Sequence, residues 1–66
     1  MSEKYDEAMA DFNEAIKLNG NNGYYYSERG TAKFLKNDTK GACEDFKKAV
    51  ELGDTPSQEY IDQYCK

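Results

Sequence analysis

The sequence predicts an all-α chain: four helices forming antiparallel helix-turn-helix repeats, stacked as a short α-solenoid, with residues 1–66 in one domain. Two observations carry that prediction. Ala8, Asp11, Phe12, Ala15 and Leu18 recur type for type as Ala42, Asp45, Phe46, Ala49 and Leu52, each 34 residues further on; Ile16 answering Val50 and Tyr26 answering Tyr60 extend the match. A repeat of this period is the mark of stacked helical pairs, in which each unit buries a face against its neighbour. Apolar residues in both copies also fall at helical spacing, and no stretch competes with the two-residue alternation of a half-buried strand.

Each element is set by local pattern. Tyr5, Ala8, Met9, Phe12, Ala15 and Ile16 wind into one apolar stripe, which predicts a helix over about 3–18. Asn19-Gly20-Asn21-Asn22-Gly23 then breaks the chain, combining residues that accept left-handed backbone with side chains able to cap the next helix. Tyr26, Gly30 and Phe34 share one side of a second helix, about 24–36. Asn37-Asp38-Thr39 stops it and caps a third, about 39–52, with the stripe Ala42, Cys43, Phe46, Ala49, Val50 and Leu52. After Gly53-Asp54, Thr55 offers an N-cap hydroxyl, Pro56 a first helical position and Gln58 a capping-box partner for a fourth helix, about 56–65, carrying Tyr60, Ile61, Tyr64 and Cys65.

Composition limits the function. A chain this short buries only about 60% of the surface its unfolded form exposes, so its core is thin. With 38% hydrophobic and 33% charged residues, no run approaches the roughly 20 apolar residues of a membrane span. A net charge of −4 with scattered Lys and Arg argues against sequence-independent nucleic-acid binding, which needs clustered cations against phosphate. The absence of histidine removes the commonest general base and the commonest zinc ligand, and two cysteines 22 residues apart make neither a zinc site nor a Cys-x-x-Cys redox pair. The favoured reading of Cys43 and Cys65 is two free, partly buried thiols in a reducing compartment, with a bridge between them as the alternative. Nothing at the start resembles a secretory signal, so the expected location is cytoplasmic. Ser2-Glu3-Lys4 aligns with the loop at Asn37-Asp38, and a further helix is expected ahead of it.

The two-helix period and the residues Tyr26-x2-Arg29-Gly30, Ala42-x3-Phe46 and Ala8-x3-Phe12 resemble the tetratricopeptide repeat (TPR). The likeness covers about 60 residues: one whole repeat from about Gly23 to Pro56, with half-repeats on either side. It implies a right-handed solenoid in which Gly30 and Ala42 let helices cross closely while Phe12 and Phe46 fill the gaps. Arg29 stands where the family usually has leucine, Lys33 where it has tyrosine, and Gly20 and Asp54 where it has proline. A subset of these repeats combines such an arginine with aspartate at the places held here by Asp11 and Asp45. An ion pair of Arg29 with one of these two is therefore expected, against a solvated Arg29.

The resemblance implies a scaffold that holds a protein or peptide segment in a concave groove. Tyr24, Ser27, Thr31, Phe34 and Leu35 on the second helix, continued by Gln58 and Ile61 on the fourth, are the residues it assigns to that groove. The lysine and asparagine clamp of chaperone-binding members is not matched, because Ser27 and Thr31 occupy the places it needs. The alternative is a self-association domain, a homodimer formed through a first-helix flank of Tyr5, Met9, Phe12 and Ile16, since repeats need about three stacked units for stability. No enzyme activity, cofactor, metal site or membrane insertion is expected; the many carboxylates read as solvated helix faces.

Overall fold

The computed structural model describes residues 3–65, in four helices: α1 Glu3–Leu18, α2 Gly23–Leu35, α3 Thr39–Glu51 and α4 Ser57–Tyr64. Each packs against the next in order, α1 on α2, α2 on α3 and α3 on α4. No strand occurs among the described residues. Met1, Ser2 and Lys66 lie outside them, and with Met1 and Ser2 goes part of the polar segment aligned with the Asn37-Asp38 loop. Glu3 and Lys4, the rest of that segment, are helical, so α1 starts two residues earlier than its counterpart α3 in the 34-residue register.

Helix ends share one device used twice. Asn37 (φ 70°) and Gly53 (φ 99°) take the left-handed conformation after α2 and α3. The amide after each then reaches back into the last turn of its helix: Asp38 N donates to the Lys33 carbonyl at 2.8 Å, and Asp54 N to the Ala49 carbonyl at 2.9 Å. These bonds satisfy carbonyls that the helix itself leaves open. Both turns end in an aspartate that serves the start of the succeeding helix. Asp38 accepts from Gly41 N at 3.1 Å and caps α3, as Asn22 accepts from Tyr24 N at 3.0 Å to cap α2. Asp54 accepts the Ser57 hydroxyl at 2.6 Å. The cap expected from Thr55 and Gln58 is not formed: α4 begins at Ser57 behind Pro56 with no side-chain cap, and Gln58 instead donates to Asp62 one turn on at 3.1 Å.

The core is small. Its buried apolar residues are Ala32, Ala42, Ala49 and Phe46, the last only 2% exposed, with Ser27, Asp45 and Ser57 buried beside them. Two glycines set the α2–α3 distance. A Cβ at Gly30 would lie 2.9 Å from the Phe46 ring and 3.2 Å from the Ala42 carbonyl, and one at Gly23 would lie 2.7 Å from the Ala49 carbonyl. Real side chains do not come that close, so this packing requires glycine at both places.

The two cysteines are bridged. Cys43 of α3 and Cys65 after α4 form a disulfide with a Cα–Cα distance of 5.7 Å, which replaces the favoured reading of two free thiols. The reason is positional: α4 folds back along α3 and brings the second cysteine beside the first, a proximity that a separation of 22 residues does not reveal. The bridge also withdraws the thiol-based argument for a reducing compartment. No helix among the described residues is long and apolar enough to cross a membrane.

Candidate functional site

Two clusters lie on either side of the α2–α3 pair, one polar and shared with α1, the other aromatic and shared with α4. The first is polar. Arg29 on α2 makes a two-pronged contact with Asp45 on α3, Nε to Oδ2 and Nη2 to Oδ1, both 2.8 Å, while Nη1 donates to the Asn13 side chain of α1 at 2.8 Å. Lys33, one turn after Arg29, sends Nζ to within 3.1 Å of the same Asp45 Oδ2. The Tyr26 ring lies under the guanidinium, 5.3 Å from Cζ to centroid, so the cation is also held over an aromatic face. Of the two aspartates expected to serve Arg29, Asp45 is the one engaged; Asp11 is exposed. The hydrogen bond to Asp45 raises the Arg29 pKa above its ordinary value, opposed by burial and aided by the carboxylate charge. A planar fork on a carboxylate fixes geometry as well as charge, and here it ties three helices through one side chain.

The second cluster is aromatic. Thr31, Phe34 and Leu35 of α2, Phe46 of α3, and Tyr60 and Tyr64 of α4 enclose a cavity of about 230 Å³. Phe34 packs on Tyr64 with centroids 4.4 Å apart, Phe46 on Tyr60 at 5.0 Å, and the two tyrosines lie nearly parallel at 6.4 Å. Leu35 is 50% exposed at the rim. Tyr60 and Tyr64 reach the cavity together because residues four apart share a helix face.

The seven residues assigned to a groove do not all meet. Thr31, Phe34 and Leu35 come together on this cavity. Tyr24 is exposed near the Asn19–Gly23 turn and tilts against Tyr25, away from the cavity. Ser27 is buried, Ile61 is half-buried, and Gln58 is exposed and bonded to Asp62. Sequence reasoning missed Tyr60 and Tyr64 as lining residues; their four-residue spacing, matched to Leu35 and Thr31 across the helix pair, was the available signal. Asn13 was also missed, and nothing in its local pattern marks it. Of the assigned first-helix flank, Tyr5, Met9, Phe12 and Ile16 are all half-buried. Among the described residues no group of three or more His, Cys, Asp or Glu could hold a metal ion.

Helical hairpins repeated in register and packed each on the next define the class: a stacked α-helical repeat. Residues 2–22 match the family model described as Tetratricopeptide repeat. Over 49 residues, 74% of the chain, the sequence is 45% identical to RNA polymerase II-associated protein 3 of Xenopus tropicalis, of which it covers 8%. No solved structure matches. The chain belongs to the tetratricopeptide-repeat family, a family of non-catalytic protein–protein interaction modules.

Proposed function

We propose that this chain holds a segment of another protein against the face shared by α2 and α4, with an apolar side chain of that segment seated in the cavity of Thr31, Phe34, Leu35, Phe46, Tyr60 and Tyr64. The observation that carries the reading is this aromatic enclosure, open at a rim where Leu35, Tyr60 and Tyr64 are each at least 40% exposed. Tyrosine and phenylalanine supply large contact area at low entropy cost, and a pocket they line suits one anchoring residue with polar contacts around it. Family membership supports protein partners in general, and the similarity to RNA polymerase II-associated protein 3 makes segments of its assemblies reasonable first probes.

The test is selection of a random-peptide display library on the full chain. Enriched sequences share an apolar anchor, and their affinity falls at least about tenfold for Leu35→Glu, a loss worth about 1.4 kcal/mol. Equal binding by both chains removes this cavity as the contact. Tyr24→Ala, which lies off the cavity, leaves binding unchanged.

A further inference from the structure

Helix α4 supplies two of the six residues that line the aromatic cavity, Tyr60 and Tyr64, yet its own grip on α3 is light. It has eight residues, too few to be stable as an isolated helix, and no side chain caps its start. Its buried residue is Ser57, at the first position, held by a 2.6 Å hydrogen bond to Asp54. Tyr60 and Tyr64 are each 40% exposed. At the far end the attachment is covalent: Cys65, the residue after Tyr64, is bonded to Cys43 of α3. Ser57 and Tyr64 are separated by about 10 Å of helix. The helix is therefore hinged at Ser57 and latched at Cys65, and the latch adjoins the tyrosine that packs on Phe34 at 4.4 Å.

The latch is accessible. Cys43 and Cys65 are both half-buried, and they line a cleft of about 450 Å³ together with Lys40, Glu44, Lys47 and Tyr64. Lys40 precedes Cys43 by three residues and Lys47 follows it by four, the two offsets that keep side chains on one helix face. Two lysines against one glutamate make the cleft locally cationic on a chain whose net charge is −4. Such surroundings draw in a thiol that carries carboxylates, and they stabilise the thiolate that departs when a disulfide is attacked.

We propose that Cys43–Cys65 is an exchange site for small anionic thiols, and that its reduction frees the C-terminal end of α4 and opens the aromatic cavity. The attacking thiolate bonds one cysteine sulfur as the S–S bond breaks, and the other sulfur leaves as a thiolate. A second thiol then displaces the first from the mixed disulfide. The two electrons come from the two thiols, which depart as their own disulfide, and their two protons end on Cys43 and Cys65. With the latch gone, α4 swings about Ser57. The Phe34–Tyr64 contact is lost before the Phe46–Tyr60 contact, which lies nearer the hinge. The consequence for binding rests on the function proposed above; the opening of the cavity is read without it.

Glutathione is the probe, with 2-mercaptoethanol as its uncharged counterpart, each added to the full chain. Lys40→Glu combined with Lys47→Glu should slow exchange with glutathione at low salt by at least about fivefold, and exchange with 2-mercaptoethanol less than half as much. Equal slowing of the two overturns the anionic preference. Nuclear Overhauser contacts between the Phe34 and Tyr64 rings should be present in the oxidised chain and absent in the reduced one, while α2 and α3 amides stay dispersed. Cys43→Ser combined with Cys65→Ser should give the reduced spectrum whether or not thiol is present. Ring contacts that survive reduction overturn the proposal. So does loss of dispersion throughout α2 and α3, which makes the bridge a general staple and not a latch. A peptide selected on the oxidised chain should bind the reduced chain at least about fivefold more weakly. Lost ring contacts with unchanged affinity leave the gate standing and remove the cavity as the peptide's contact. Binding that needs Leu35 yet ignores reduction, with ring contacts intact, keeps the cavity as the contact and overturns the gate.

Discussion

Helix α1 and helix α3 with its C-cap residue Leu52 carry the same five residues at the same spacing and live in different surroundings. Phe46 is buried to 2% while Phe12 is half-buried; Asp45 is buried in an ion pair while Asp11 is exposed; Leu52 is half-buried while Leu18 projects. Composition therefore does not set what these residues contribute. The flanking helices do: α3 packs extensively against both α2 and α4, whereas among the described residues the main packing of α1 is against α2. In a stacked repeat, stability resides in the junctions between units more than in the units.

Matched substitutions can break that contrast. The largest expected effect is Phe46→Ala, which empties the middle of the α2–α3–α4 junction and should cost about 3–5 kcal/mol in chemical denaturation. Phe12→Ala should cost about half as much; equal losses would mean that the two helices are equally enclosed. Reduction of Cys43–Cys65 by a dithiol should come next, at about 3 kcal/mol if the bridge acts through the entropy of the unfolded chain. Hydrogen exchange sharpens the point, since α4 amides should lose protection before those of α1.

Asp45→Asn ranks third, at about 1.5–3 kcal/mol, because it leaves Arg29 and Lys33 without their shared carboxylate, whereas Asp11→Asn should stay within about 0.5 kcal/mol. Thermal melts of the pair decide it, and similar losses would contradict the one-sided role of Asp45. Because the hydrogen bond to Asp45 raises the Arg29 pKa above the already strongly alkaline value of a free guanidinium, its share of stability is fully present at neutral pH and is lost only in strong alkali, so the difference between the two variants should be constant from about pH 6 to 9. The smallest effect belongs to Leu18→Ala, expected within about 0.5 kcal/mol in this chain, against a larger loss for Leu52→Ala.

The fold was legible in the sequence because period and spacing are properties of the chain itself. Ala8, Phe12, Ala42 and Phe46 announced two copies of one helix, and Asn22 and Asp38 announced their caps. Residues whose role depends on a neighbour in space were harder to read. Asp11 and Asp45 are indistinguishable as text, and only the position of Arg29 separates them. Cys43 and Cys65 gave no spacing signal because their meeting depends on the path of the α3–α4 turn. Part of the aromatic cavity was visible in Thr31, Phe34 and Leu35. Tyr60 and Tyr64 were not, because the short α4 could be set on α3 in more than one rotation, and Gln58 and Ile61 suited an alternative one.

The Cys43–Cys65 bridge also determines how the chain bears mechanical load. Tension applied at the C-terminal end passes from Cys65 directly into α3, so α4 and the turn before it lie outside the force path. Pulled to full extension, an oxidised molecule should be shorter than a reduced one by roughly 75 Å, the contour of the 22 residues that the bridge short-circuits.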